Sequence, residues 1–272
     1  CRKTRIPVQH LTGVQEFMGY EFAVNEHVLV PRQDTEILVE EAEKRLLLMK
    51  KENPVKVLDM CTGSGCIGIS IQSFCPETKV TAADISEDAL KVAKYNALQN
   101  QVLVNFVHSN LFSEISGTFD LIVSNPPFSV PWEGDKNPLL INDPRFSPAG
   151  VLAPASKGDM AFILHSLAWL ANNGAAAIVC FPGIMYRGGA EQKIRKYLVE
   201  NNYIDAIIQL PSNLFLNVTI SVDIMLLKKS KTDNAILFVD ASKEFVKVTK
   251  NNRLSEENIR HIVSAVAQRK DE

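Results

Sequence analysis

Apolar residues follow two periods along this chain, and the two alternate. Short apolar, β-branched runs at residues 55–59, 79–84, 102–109, 119–124, 175–181, 204–210 and 221–227 predict seven buried strands. Between them the apolar positions recur at helical spacing. The first such stretch runs from Thr35 to about Lys51, with Leu38, Val39, Ala42, Leu46 and Leu47 on one face and Asp34 as cap. Further helices are predicted up to about Phe74, from Ser86 to Gln99, and over 159–172, 190–201 and 254–270, with Ser86 and Ser255 as caps. Strands alternating with helices predict a doubly wound α/β sheet, mostly parallel and covered on both faces. The connection at 211–219 is too short for a crossover helix, so the last strand should pair antiparallel. Residues 235–239 are a candidate edge strand. Residues 17–30 alternate apolar and polar about Asn25-Glu26, which predicts a β-hairpin ahead of the sheet, and residues 2–16 show neither period.

Composition narrows the class. Of 272 residues, 46% are hydrophobic and 22% charged, as in an ordinary globular protein. No apolar run reaches membrane-spanning length and the start carries no signal-peptide core, so a cytoplasmic protein without membrane contact is expected. The five cysteines are scattered; Cys61 and Cys66 do not have zinc spacing, and reduced, mostly buried thiols are expected. The five histidines form no cluster, so no metal site is expected, and His165 reads as a core or interface side chain. The net charge of −2 gives no strong field for nucleic acid; a DNA substrate would need a partner to supply cationic surface.

The chemistry concentrates at strand ends. After the first strand, Gly63-Ser64-Gly65-Cys66-Ile67-Gly68 fits G-x-G-x-x-G and opens a helix, with Thr62 at its entry. Glycines there let a ligand approach the backbone at a helix N-terminus. Asp84, followed by Ile85, ends the second strand 21 positions after Gly63, where a ribose-binding carboxylate is expected; helix capping is the plainer alternative. A dinucleotide and S-adenosylmethionine both fit this frame. Asp59 separates them: a carboxylate just before the loop repels a pyrophosphate and suits the ammonium of a methionine moiety, and it can also cap the loop. Asn110-Leu111-Phe112 closes the third strand, where Asn110 is a candidate for the adenine amino group and Phe112 for packing beside it; an ordinary turn is the alternative.

The fourth strand runs into Asn125-Pro126-Pro127-Phe128. Two prolines stop the ladder and hold the chain extended at the carboxyl end of a buried strand, where α/β sheets bind ligands. The Asn125 side-chain carbonyl and the Pro126 backbone carbonyl are two acceptors suited to an NH2 group, and Phe128 offers a flat face. The plainer reading is a loop that contains two prolines. Residues 129–158, long and rich in Pro, Asp and Asn, form a loop of a size that is usually functional.

These residues resemble two families. Residues 2–127 resemble release-factor glutamine methyltransferases, through Pro7-Val8-Gln9-His10-Leu11-Thr12-Gly13, Glu16-Phe17-Met18-Gly19, Val30-Pro31-Arg32-Gln33-Asp34-Thr35-Glu36 and the stretch from Leu58 to Ile67. Residues 125–262 resemble the modification subunit of type I restriction enzymes, DNA adenine methyltransferases. The marks there are Asn125-Pro126-Pro127-Phe128-Ser129 with Trp132, Asn142-Asp143-Pro144-Arg145-Phe146, Leu152-Ala153-Pro154, Phe181-Pro182-Gly183, Tyr186-Arg187-Gly188-Gly189-Ala190-Glu191 and Asn213-Leu214-Phe215. The chain looks like a chimera joined at the shared motif. The resemblance implies a class I, Rossmann-like S-adenosylmethionine-dependent methyltransferase. Its expected parts are an N-terminal hairpin segment (1–33), then a catalytic domain (34–272) with a cofactor-binding half (34–127) and a substrate-side half (128–272). It implies transfer to a planar NH2 nitrogen by Asn125, Pro126, Pro127 and Phe128, with the cofactor held by Asp59, Thr62, Gly63, Ser64, Gly65, Asp84, Ile85, Asn110, Leu111 and Asn125. The expected acceptor is the glutamine amide of a release factor. The alternatives are adenine in DNA, read through a separate specificity subunit, and a chimeric scaffold that binds cofactor without turnover. The helical N-terminal regions of both families are expected to be absent, and the first family's motif ends in Tyr where this chain has Phe128.

Overall fold

The computed structural model describes residues 7–49, 53–214, 220–248 and 251–269. The chain divides into two compact units, Cys1–Ser124 and Asn125–Glu272.

The first unit opens with a short helix, α1 (Val8–Thr12), that ends on Gly13 in the left-handed conformation. A hairpin follows, β1 (Val14–Phe17) and β2 (Tyr20–Ala23). Both features correct the expectation of irregular chain before Phe17 and of a turn at Asn25-Glu26. Met18 and Gly19 take φ of 52° and 77°, giving the two-residue turn whose twist matches a strand pair. Residues 2–6 lie outside the described residues. Helix α2 (Gln33–Leu48) starts after an extended Arg32, so Asp34, the expected cap, falls inside the first turn. Ile37, Leu38, Val39, Ala42 and Leu46 face the core, whereas Leu47 is exposed. There follow β3 (Lys56–Met60), α3 (Cys66–Phe74), β4 (Lys79–Asp84), α4 (Glu87–Gln99), β5 (Asn105–His108) and β6 (Phe119–Ser124). The strands stand in the order β6-β3-β4-β5, all parallel. Val57, Leu58, Leu121, Ile122 and Val123 are fully buried, which explains why β3 and β6 carry continuous apolar runs.

One polar side chain ties this unit together. Asn96 lies on the buried face of α4 with no exposure. Its Oδ1 accepts from the Ala23 N–H at 2.7 Å, and its Nδ2 donates to the carbonyls of Ala23 (3.1 Å) and Ser64 (2.8 Å). The end of β2 and the turn before α3 are thereby held by one amide.

In the second unit, α5 (Asp159–Trp169) passes directly into β7 (Leu170–Cys180). The helix ends three residues before the predicted Asn172, because Leu170 is already extended and Asn172-Asn173-Gly174 have poor helix propensity. Helix α6 (Ala190–Glu200), β8 (Ile204–Gln209), β9 (Asp223–Lys228) and β10 (Leu237–Asp240) follow. The order is β10-β8-β9-β7, with β9 antiparallel to β7 and β8 and β10 parallel to β8. The short connection before β9 therefore has the consequence expected of it; its residues 215–219, with Phe215 of the last quoted motif, lie outside the described residues. A small hairpin, β11 (Val246–Val248) and β12 (Asn251–Arg253), has no apolar period and was not expected. Helix α7 (Glu256–Gln268) starts with a capping box between Ser255 and Asn258. Among the described residues no helix is long and apolar enough to cross a membrane.

Replacing Asn96 with Ala strands the buried Ser64 carbonyl and the half-buried N–H and carbonyl of Ala23. Chemical denaturation should show a loss of at least ~2 kcal/mol, given roughly 1–3 kcal/mol per unsatisfied buried group.

Candidate active site

The glycine loop joins β3 to α3 through a tightly specified backbone. Cys61, Gly63 and Gly65 all have positive φ. Gly65 is the N-cap of α3 at φ 83°, and a Cβ there would come 2.8 Å from Ile69 Cδ1 and 3.1 Å from Ala93 Cβ. Its smallness serves the packing of α3 on α4. Gly63 also needs its φ of 55°, yet a Cβ there would meet nothing within 4 Å. Gly63 is therefore the glycine that borders open space. Gly68 packs against β3, where a Cβ would lie 3.0 Å from Asp59 Oδ2.

Two carboxylates brace this loop. Asp59 has no exposure. Its Oδ2 accepts from the Thr62 hydroxyl at 2.5 Å and from the Gly68 N–H, in the first turn of α3, at 2.9 Å. This is the capping role, and the buried carboxylate does not reach the surface. Burial pushes its pKa up to about 7, with the Asp84 charge adding to the rise and the bonds from Thr62 and Gly68 opposing it. Asp84 is half-buried. Its Oδ2 accepts from the Gly63 N–H at 2.9 Å and its Oδ1 from the Ser86 N–H at 2.9 Å. The cap of α4 is Ser86, whose hydroxyl oxygen accepts from Ala89 N–H, so Asp84 keeps lone pairs on both oxygens. Thr62 and Ser64 are buried, so these two contribute backbone rather than side chain to the loop surface. Burial pushes the Cys61 and Cys66 thiols up to about 12, which leaves both unreactive.

The ends of β4 and β5 are pinned together. His108 Nε2 donates to the Ile85 carbonyl at 2.8 Å, and the Ser109 N–H donates to the Asp84 carbonyl at 2.9 Å. Ile85 and Asn110 are exposed beside each other's strands, and Leu111 is left-handed with φ 50°. Phe112 points into the core at 1% exposure, which corrects the expectation that it packs on a ligand ring. An open groove of about 790 Å³, lined by Gln72, Lys79, Asn100 and Asn105 among others, lies at the opposite ends of these strands. Among the described residues no cluster of metal-ligating side chains occurs.

In the second unit, Asn125, Pro126 and Phe128 are half-buried and Pro127 is exposed. Phe128 and Ser129 form a turn in which Ser129 has φ 51°. The loop that follows is closed at its base. The Gly158 N–H donates to the Val130 carbonyl (2.8 Å), the Trp132 N–H to the Ala155 carbonyl (2.9 Å), and Trp132 Nε1 to the Pro154 carbonyl (3.0 Å). Trp132, Phe146 and His165 pack in series, the first pair tilted and the second edge-to-face, with centroids 5.4 and 4.5 Å apart. Burial holds the His165 pKa down at about 4, so the ring is a neutral packing partner and not a base. Arg145 pairs with Asp143 at 2.6 Å and lies over Phe146. The motif residues from Asn142 to Pro154 thus build this loop.

This strand order, with its mostly parallel strands and single antiparallel one, is the class I S-adenosylmethionine-dependent methyltransferase fold, preceded by a β-hairpin. The chain belongs to the N-6 DNA methylase family, whose model matches residues 27–272. It is 41% identical, over 86% of its length, to the type I restriction enzyme MpnII methylase subunit of Mycoplasma pneumoniae, of which it covers 47%. It is 44% identical, over 45% of its length, to a release factor glutamine methyltransferase of Borreliella burgdorferi, of which it covers 42%. The structure of a type I restriction-modification methyltransferase subunit from Streptococcus thermophilus superposes with a TM-score of 0.80 at 29% identity, covering 90% of this chain and 54% of that one. The chain thus spans about half the length of these relatives. Both resemblances read from the sequence are present, and the Mycoplasma protein matches across the seam between them.

Asp59 has a folded pKa above its unfolded value, so it contributes stability that is fully present below about pH 4 and lost as pH rises through about 7. Asp59→Asn should flatten that part of the stability–pH curve measured by urea denaturation. Separately, Gly65→Ala should destabilise more than Gly63→Ala, because both incur left-handed strain of roughly 1–2 kcal/mol but only Gly65 meets neighbours. Equal losses would show that packing of α3 on α4 is not what requires Gly65.

Proposed function

We propose that this chain is the catalytic core of a DNA adenine methyltransferase of the type I restriction-modification kind, using S-adenosylmethionine. The observation that carries this reading is the similarity to the Mycoplasma methylase subunit, which runs through both units, whereas the release-factor relatives match only about half the chain. The comparisons therefore favour DNA adenine over the glutamine amide expected from the first half. In this reading residues 34–127 hold the cofactor and 128–272 face the acceptor. A specificity partner reads the sequence, in keeping with a net charge of only −2.

The loop fits the cofactor. Open space beside Gly63 lets a ligand approach the backbone, and Asp84 has acceptor capacity for ribose hydroxyls. Ile85, Asn110 and Leu111 would border the adenine, with Asn110 on its amino group. Thr62, Ser64 and Gly65 shape the loop, and Asp59 supports it from beneath through Thr62 and Gly68. When bound, S-adenosylmethionine supplies an electrophilic methyl group on a sulfonium sulfur.

The acceptor chemistry falls to the motif. An exocyclic amino nitrogen is a poor nucleophile because its lone pair is delocalised into the ring. Asn125 Oδ1 and the Pro126 carbonyl accept its two N–H groups, which favours a pyramidal nitrogen and stabilises the positive charge as the N–C bond forms. Pro127 stiffens the segment, and Phe128 stacks on the base to hold its plane. The extra proton leaves to solvent after the bond has formed, so no side chain needs to act as a base beforehand.

The test is methyl transfer to adenine-containing duplex DNA and to a glutamine-containing release-factor peptide. Transfer to DNA is the expected result; transfer to the peptide alone would overturn the DNA reading and restore the glutamine one. Transfer to neither would leave a cofactor-binding scaffold. Asn125→Ala should lower turnover by about 100-fold or more, the scale for removing one preorganised partner, with cofactor affinity nearly unchanged by calorimetry. A collapse of cofactor affinity would place Asn125 on the cofactor.

A further inference from the structure

Ser129, directly after Phe128, holds a left-handed backbone conformation that non-glycine residues adopt at a cost. One side chain maintains it. Asp159 Oδ1 accepts from the Ser129 N–H at 2.9 Å, and Oδ2 accepts from the Ser129 hydroxyl at 3.3 Å. Asp159 is the first residue of α5, a helix whose Met160, Ile163 and Leu164 are buried. The anchor thus sits on a rigid element.

Asp159 is itself held from its other side. Arg187 Nη1 lies 4.0 Å from Asp159 Oδ2 and donates to Glu191 Oε1 at 3.3 Å. The guanidinium lies over the Phe181 ring, 4.8 Å from its centroid. Gly183 makes room for it, since a Cβ there would come within 2.7 Å of the guanidinium and 2.4 Å of the Phe181 ring. The Arg187 side chain is 19% exposed and its two acidic neighbours 7% and 3%, so solvent screens this cluster little. The stretch from Phe181 to Glu191 and the motif that ends in Phe128 and Ser129 are distant in sequence and meet at one carboxylate.

We propose that Asp159, oriented by Arg187, is the positioning residue of the Asn125-Pro126-Pro127-Phe128 motif: it locks Ser129 and so fixes the plane in which Phe128 meets the acceptor. This rests on the reading of Phe128 as the stacking surface. Asp159 touches no reacting atom. It restricts the orientations of Phe128, and its loss is felt in acceptor binding and not in cofactor binding.

The experiment compares Asp159→Ala and Asp159→Asn with the wild-type chain. Asp159→Ala should raise the KM for an adenine-containing duplex by about tenfold or more, with S-adenosylmethionine Kd within about twofold of wild type. Hydrogen exchange at residues 125–132 should accelerate while that at 56–60 and 159–169 does not. Asp159→Asn keeps an acceptor for the Ser129 N–H and should recover most of the KM. Unchanged KM and exchange in Asp159→Ala would overturn the proposal, as would faster exchange throughout α5 with no recovery by Asn, the mark of a general stability role. If wild type methylates the glutamine peptide and not DNA, KM is read on that peptide, and the inference stands or falls separately from the substrate. If it methylates neither, the exchange pattern alone decides. If Asn125→Ala keeps full turnover, the motif is not the acceptor site, and the proposed function fails whatever Asp159 does.

Discussion

The first unit depends on a single buried amide. Asn96 uses one oxygen and both of its amide hydrogens, all on backbone groups that have no partner in a regular ladder. A buried amide satisfied in this way is a strong constraint, because any displacement of its neighbours leaves polar atoms without partners in a low-dielectric interior. The hairpin end and the glycine turn are therefore fixed relative to α4, and through α4 to the sheet. Gly65 reinforces the same junction sterically, since it lets α3 approach Ala93.

Carboxylates then do the finer positioning, each with a different balance of burial and exposure. Asp59 is wholly buried and spends one oxygen on Thr62 and the first turn of α3. Asp84 remains half-exposed, gives each oxygen to one amide, and so combines bracing with capacity for a ligand. Asp159 does for the second unit what these do for the first, at the turn after the Pro-Pro motif. In all three cases an acid at a strand end or helix start satisfies a backbone N–H that lies in a turn or in the first turn of a helix. Regular secondary structure cannot do that for such segments.

Much of this was legible in the sequence. Strands β4 and β6 and helix α4 with its Ser86 cap have the expected bounds, because strong periods there end in distinct capping and turn residues. The antiparallel β9 followed from loop length alone. Other elements were hidden for identifiable reasons. Met18 carries no turn signal, so the hairpin was placed too far along the chain. Leu47 matched the apolar stripe of α2 in spacing but faces solvent, and Ile37 takes its place in the core. Asn96 left a signal that was overlooked: a polar residue on the apolar face made by Ala89, Val92, Ala93 and Ala97. Motif and spacing single out Asp59, Gly63 and Asp84 as candidates, yet they do not say which carboxylate is buried or which glycine borders open space. The Arg187 cluster was visible only as a motif, because its partners lie far apart in the chain.

The three contacts that close the 129–158 loop have a consequence for how such a protein can diverge. With its base fastened at Val130, Trp132 and Gly158, the loop transmits little of what happens at its tip to Phe128. Lengthening a loop that is already closed adds only slowly to its closure entropy. The exposed residues of the tip, such as Leu139 and Ile141, can therefore be exchanged or extended while the closed base and Phe146, packed between Trp132 and His165, stay in place. On the proposed function, in which Phe128 is the stacking surface, the tip of this stretch is free to vary without disturbing the residue that positions the acceptor.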